Sequence, residues 1–159
     1  MISRHENFTR NLVKGKIAET IFAQMFREAD RYTVLEFGYE KNIPELVRDG
    51  YRENSEIIDT LRTAPDFAVI DDDEHHVKLV EVKYRAIYDN LKIREIAETM
   101  HRLWNPSWLF VCSLDKFYFD KVNKIIENNG HMAALSDEMI PNDLQLRYLE
   151  ILRDFEDGK

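Results

Sequence analysis

Asp66, Glu81 and Lys83 are the residues whose types and spacing invite chemistry. Pro65-Asp66 opens the apolar run Phe67-Ala68-Val69-Ile70, and Val77 to Tyr84 is a second, longer run in which Glu81 and Lys83 stand two positions apart. Side chains alternate across a strand, so Glu81 and Lys83 share one face, and a hairpin return between the runs can bring Asp66 opposite them. Burying three charged groups in strands this apolar costs several kcal/mol unless they pair with one another or hold a cation. Such a convergence has the chemistry of a metal site. Mg²⁺ takes about six oxygen ligands at roughly 2.0–2.1 Å and gives up water reluctantly, so one or two carboxylates suit it. An ion so held turns water into a nucleophile near neutral pH and stabilises charge on phosphoryl oxygens. A lysine beside it can act as a base with a lowered pKa, or stay charged and steady a transition state; the sequence leaves both open.

A fourth acid comes from the first element that must position this trio. Asn7 to Ala29 has helical period: at about 100° per residue Leu12, Gly15, Glu19, Phe22, Ala23 and Phe26 fall on one stripe, so Glu19 interrupts an apolar face. A carboxylate there wants a partner, either the strand residues or neighbouring Lys16. Gly15 weakens the helix by roughly 1 kcal/mol relative to alanine and permits another backbone to come close. A second apolar line, Ile17, Ile21 and Met25, predicts cover from another side, as by a C-terminal segment.

The remaining elements follow in order. Arg31 to Tyr39 alternates as a strand. A polar connection from Lys41 to Ala64 contains Pro44, Asp49-Gly50 and two short helical candidates, Glu45 to Arg48 and Ser55 to Arg62. Asp89 or Asn90 caps a helix to about Leu103 with Ile93, Ile96, Ala97, Met100, Leu103 and Trp104 as its buried stripe, and Asn105-Pro106 stops it. Ser107 to Cys112 is a continuous apolar strand. Lys116 to Asn128 is expected to be helical, ended by Asn129-Gly130, and a last helix from Asn142 to Phe155 carries Leu144, Tyr148, Ile151, Leu152 and Phe155 toward its own core.

Composition narrows the classes. At 159 residues and 44% hydrophobic the chain is expected to form one domain over 1–159, with a core at about 7–112 and a C-terminal helical extension at about 113–159. No apolar run approaches the roughly 18 residues of a membrane helix, and the N-terminus lacks a signal peptide's apolar region, which predicts a soluble cytoplasmic protein. The lone Cys112 excludes an intramolecular disulfide and a zinc-cysteine site. Five scattered glycines offer no nucleotide-cofactor fingerprint, and no Ser-His-Asp constellation is present. Asp71 to His76 could bind metal but better fits a solvated charged turn; His101 could approach a phosphate but better fits a surface position, and His5 and His131 have no partner at ligand spacing. The net charge of -8 argues against a nonspecific nucleic-acid coat.

A helix with Gly15 and Glu19, then Pro65-Asp66, then Glu81-Val82-Lys83, in the order αβββαβ, resembles the PD-(D/E)XK nuclease superfamily of restriction enzymes, Holliday junction resolvases and repair nucleases. The resemblance spans roughly Asn7 to Cys112. It implies an α/β fold: a restriction-endonuclease-like core with a mixed central sheet flanked by helices, and C-terminal helices added. It also implies that Asp66 and Glu81 bind Mg²⁺ or Mn²⁺ with help from the Val82 carbonyl, that Lys83 orients or deprotonates the attacking water, and that Glu19 holds a metal-bound water or a second ion. The expected activity is metal-dependent endonucleolytic hydrolysis of phosphodiester bonds in DNA. Lys14, Lys16, Arg85, Lys92, Arg94 and Arg102 are the expected nucleic-acid-binding rim; so few cations predict salt-sensitive binding and a homodimer or basic partner subunit. The contrasting expectation, favoured by the net charge, is a non-catalytic binding or assembly module that keeps the nuclease-like core.

Overall fold

The computed structural model describes residues 3–38 and 55–158. Helix α1, Arg4–Glu28, begins earlier than its apolar stripe because Ser3 and Glu6 form a capping box: the Ser3 N–H donates to Glu6 Oε2 at 2.7 Å and the Glu6 N–H to Ser3 Oγ at 3.1 Å. Strand β1 is Tyr32–Glu36, and helix α2 is Ser55–Arg62. The expected strand end at Tyr39 and the Glu45 to Arg48 helix lie outside the described residues. Strands β2, Phe67–Asp71, and β3, Val77–Tyr84, are joined by the charged turn. Helix α3, Asn90–Leu103, starts at Asp89, whose carboxylate accepts from the Leu91 and Lys92 N–H groups. Strands β4, Trp108–Cys112, and β5, Phe117–Lys121, precede helices α4, Val122–Glu127, and α5, Asn142–Glu156.

The five strands form one mixed sheet in the order β1-β2-β3-β4-β5. β1, β2 and β3 make an antiparallel meander, and α3 carries the chain over to β4, parallel to β3. A parallel neighbour needs such a crossover. Strand alternation then divides the core. Tyr32, Val34, Phe67, Val69, Val80, Val82 and Phe110 face α1 and α5, where Phe22 stacks within 4.4 Å of Phe26, 4.8 Å of Phe110 and 5.2 Å of Phe67. Truncating Phe22 to alanine there should cost about 3–5 kcal/mol. Leu109 and Val111 face the other way, against Ile93, Ala97 and Met100 of α3 and Val122 and Ile125 of α4.

Several expectations are corrected. Phe117 to Lys121 is a strand and not part of a helix from Lys116 to Asn128; it pairs with β4 in the register Phe110 opposite Phe119, burying Phe117 and Phe119. The segment after 112 is therefore not wholly helical. On α5 the buried line is Leu144, Leu149 and Leu152, while Ile151 is 52% exposed. Leu12 also leaves the buried stripe, at 56% exposed, because it borders an open cleft. The expected cover of α1 is present: α5 docks on it, with Arg147 and Tyr148 bonded to Glu28. At the outer edge of the sheet, Arg27 Nη2 donates to the Val34 carbonyl at 3.1 Å. Among the described residues no helix is long and apolar enough to cross a membrane.

Candidate functional site

The unequal lengths of β2 and β3 make the site. Their ladder starts at Phe67 opposite Val80, yet β3 continues through Glu81, Val82, Lys83 and Tyr84 with only β4 beside it. Asp66 stands where the two strands part, and the Val82 N–H donates to its Oδ2 at 2.9 Å. Within a strand a residue's N–H and C=O point to the same edge, so the Val82 carbonyl also faces this opening. Glu81 and Lys83 share the opposite face to Val80 and Val82, as their spacing predicts, and Lys83 Nζ lies 3.3 Å from Glu81 Oε1. Their side chains are 37% exposed for Lys83 and 15% for Glu81. A cleft of about 730 Å³ opens over this corner, walled by α1 on one side and α3 on the other, with Gly15, Lys16, Glu19, Glu95 and Thr99 among its lining.

The two strand carboxyls are short of donors. Burial raises Asp66 to about 6; the Val82 N–H and Lys83 oppose that shift, whereas the Glu19 charge adds to it. Burial raises Glu81 further, to about 8, with the Asp66 charge as the next cause and only Lys83 opposing. Both carboxyls are thus pushed toward their neutral forms, and a cation between them would favour the charged forms instead. Two carboxylates and a strand carbonyl suit Mg²⁺ or Mn²⁺, which keep several waters and accept an incomplete set of protein ligands.

Glu19 lines the same cleft and acts on Asp66 through its charge, but its carboxylate pairs with Lys16 at 3.2 Å. Among the described residues no three carboxylate, imidazole or thiol groups are drawn together as a ligand set, so Glu19 stands apart from the Asp66–Glu81 pair. Gly15 does not admit a neighbouring backbone: a Cβ there would meet nothing within 4 Å, because the open cleft lies beyond it.

The expected basic rim divides. Lys16 lines the cleft, and Lys14 and Arg85 line a narrower arm beside Asp66 and Glu81. Lys92, Arg94 and Arg102 do not line either; Arg94 turns to Glu98 at 2.9 Å and Asn129 at 3.3 Å, toward the α4 side of α3. The charged turn is also less solvated than expected, since Asp71 is buried and paired with Arg31 at 2.9 Å. Sequence reasoning missed Tyr84, which lines the arm, and its partner Glu156. Tyr84 follows Lys83 but faces α1, and Glu156, at the end of α5, bonds to it at 2.6 Å. The alternation of β3 could have flagged Tyr84; nothing local marks Glu156. Compared with known proteins, the chain matches no family model and no curated protein sequence.

Proposed function

We propose that this cleft is the active site of a metal-dependent nuclease that hydrolyses phosphodiester bonds in DNA, built on a restriction-endonuclease-like αβββαβ core formed by α1, β1 to β3, α3 and β4. The observation that carries the reading is the Asp66–Glu81 pair: two partly buried acids at a strand divergence, their pKa values raised chiefly by burial, with Lys83 on the same face. Mg²⁺ or Mn²⁺ bound there supplies charge neutralisation at the scissile phosphate and a water of lowered pKa. Asp66, Glu81 and the Val82 carbonyl hold the ion. Lys83 Nζ, 3.3 Å from Glu81 and partly exposed to the cleft, either takes a proton from the attacking water or stabilises charge on the phosphoryl oxygens. Glu19, reached across the cleft from α1, orients solvent near Asp66.

A divalent-dependent cleavage assay over linear, nicked, branched and single-stranded DNA tests this directly. Cleavage by the wild type and none by Asp66→Ala is the expected result; no cleavage of any substrate would sink the reading. One observation favours the second reading, a non-catalytic binding or assembly module: the chain carries a net charge of -8, and Lys14 and Lys16 at the cleft are both paired with acids. The two readings separate on melting temperature. Mg²⁺ or Mn²⁺ raises that of the wild type and not of Asp66→Ala if the pair holds an ion, since a ligand bound only by the folded state stabilises it by mass action.

A further inference from the structure

The last turn of α5 reaches Lys14 and Tyr84, two side chains that line the narrower arm of the cleft. Glu156 accepts there from Lys14 Nζ at 3.1 Å and from the Tyr84 hydroxyl at 2.6 Å, and Lys14 also sits 5.5 Å above the Tyr84 ring. Lys14 and Tyr84 line the same arm as Asp66, Glu81 and Lys83. An ammonium and a phenol hydroxyl converging on one oxyanion are the donors a phosphate group needs, and a carboxylate presents the same acceptor chemistry at lower charge. The three side chains come from three elements that are neighbours only in the folded chain: α1, β3 and α5. Glu156 holds its place through charge and hydrogen bonds at a helix end, while the apolar anchors of α5, Leu144, Leu149 and Leu152, lie upstream. Releasing the carboxylate therefore disturbs little of the core.

We propose that Lys14 and Tyr84 form a subsite for a nucleic-acid phosphate next to the Asp66–Glu81 pair, and that Glu156 occupies it as an internal competitor that an incoming phosphate displaces. The proposal rests on the nuclease reading for the identity of the ligand and deepens it. It also explains how a chain of net charge -8 meets a polyanion: one of its cleft cations is held in reserve by its own C-terminal helix.

The test measures binding of a fluorescein-labelled single-stranded oligonucleotide by anisotropy without divalent ions, and of pyrophosphate by calorimetry. Glu156→Gln removes the charge and keeps the shape; both probes should bind about tenfold tighter, a change of about 1.4 kcal/mol. Asp154→Asn, an exposed acid on the same helix with the same change in net charge, should shift binding by less than about twofold. Adding Lys14→Met to Glu156→Gln should erase the gain. Equal tightening by both acid variants would reduce the effect to overall charge and overturn the proposal, as would no tightening in a folded Glu156→Gln protein. Glu156→Ala serves if the glutamine variant does not fold, and a gain that survives the added Lys14→Met overturns the subsite. Tighter pyrophosphate binding in a protein that cuts no DNA would keep the subsite and discard the nuclease reading; DNA cleavage without tightening would do the reverse.

Discussion

Asp71, buried at one end of β2, and Asp66, partly buried just before the other, have opposite electrostatic fates. Asp71, 4% exposed, accepts from Arg31 at 2.9 Å and from the Asp73 and Glu74 N–H groups at 3.0 and 3.2 Å. Burial alone would raise its pKa, but the guanidinium and the two backbone donors outweigh it and hold the carboxyl below its ordinary value. Asp66 has one backbone donor, a neighbouring acid and a more distant lysine, and burial wins. The two ends teach that burial of an acid is not itself a functional signal. What distinguishes a finished structural contact from a candidate ligand is the supply of donors, and only the Asp66 end is left short.

The sharpest way to break the comparison is through activity. Lys83→Ala should lower DNA cleavage by at least ~10²-fold while divalent affinity, measured by calorimetry, stays level or tightens, since a nearby positive charge has been removed. Asp66→Ala should lose both properties. A Lys83→Ala protein that cuts near the wild-type rate would remove that lysine from the mechanism.

Stability gives the next largest effect, with opposite signs at the two ends of the strand. Asp71→Ala strands two N–H groups and Arg31, and should lower the unfolding free energy by roughly 1–3 kcal/mol. Asp66→Asn should raise stability in metal-free urea denaturation at pH 8, because it removes a charge the site cannot solvate. If both variants destabilise alike, donor supply is not the governing difference.

The pH dependence follows from the same pair. Asp66 and Glu81 have folded pKa values raised to about 6 and about 8, so the stability they contribute is present below their unfolded values and is lost as pH rises from about 4 through about 8. Asp71 has the reverse sign: its lowered pKa gives stability above the unfolded value that is lost on acidification. Metal-free melting temperatures should therefore decline between about pH 5 and 8, and Glu81→Gln should flatten the part of that decline above about pH 6. A wild type whose melting temperature climbs through that interval would contradict the raised pKa values. Smallest of all, Gly15→Ala should add up to about 1 kcal/mol in urea denaturation, because the new methyl meets nothing within 4 Å and alanine favours the helix.

Much of this end of the molecule was legible in the sequence because its signals are local. The two apolar runs, the turn between them and the Asp89 cap all appear as expected, and they suffice to bring Asp66, Glu81 and Lys83 together. What escaped depends on distant partners. The aromatic run Phe117-Tyr118-Phe119 is a strand because β4 lies beside it, and the helical period of the longer segment concealed that pairing. A glycine's freedom is visible at Gly15, but what stands opposite it is not. Lys14 and Glu156 are 142 positions apart, beyond any spacing argument. Asp71 was assigned to solvent because charged turns usually are exposed; Arg31, forty positions earlier, changes its environment.

The Arg27 contact at the sheet edge has a consequence for self-association. Among the described residues β1 is the outer strand of the sheet, and the carbonyls and amides along such an edge are groups on which a foreign strand could build. Arg27 fills the middle of that edge by donating to Val34, and it carries a positive charge there. A second chain adding to β1 in ribbon fashion would have to displace the guanidinium before its first central hydrogen bond formed. Polymerisation along the sheet is thereby disfavoured at the residue most exposed to it, by a side chain whose own helix is fixed in the core through Phe22, Met25 and Phe26.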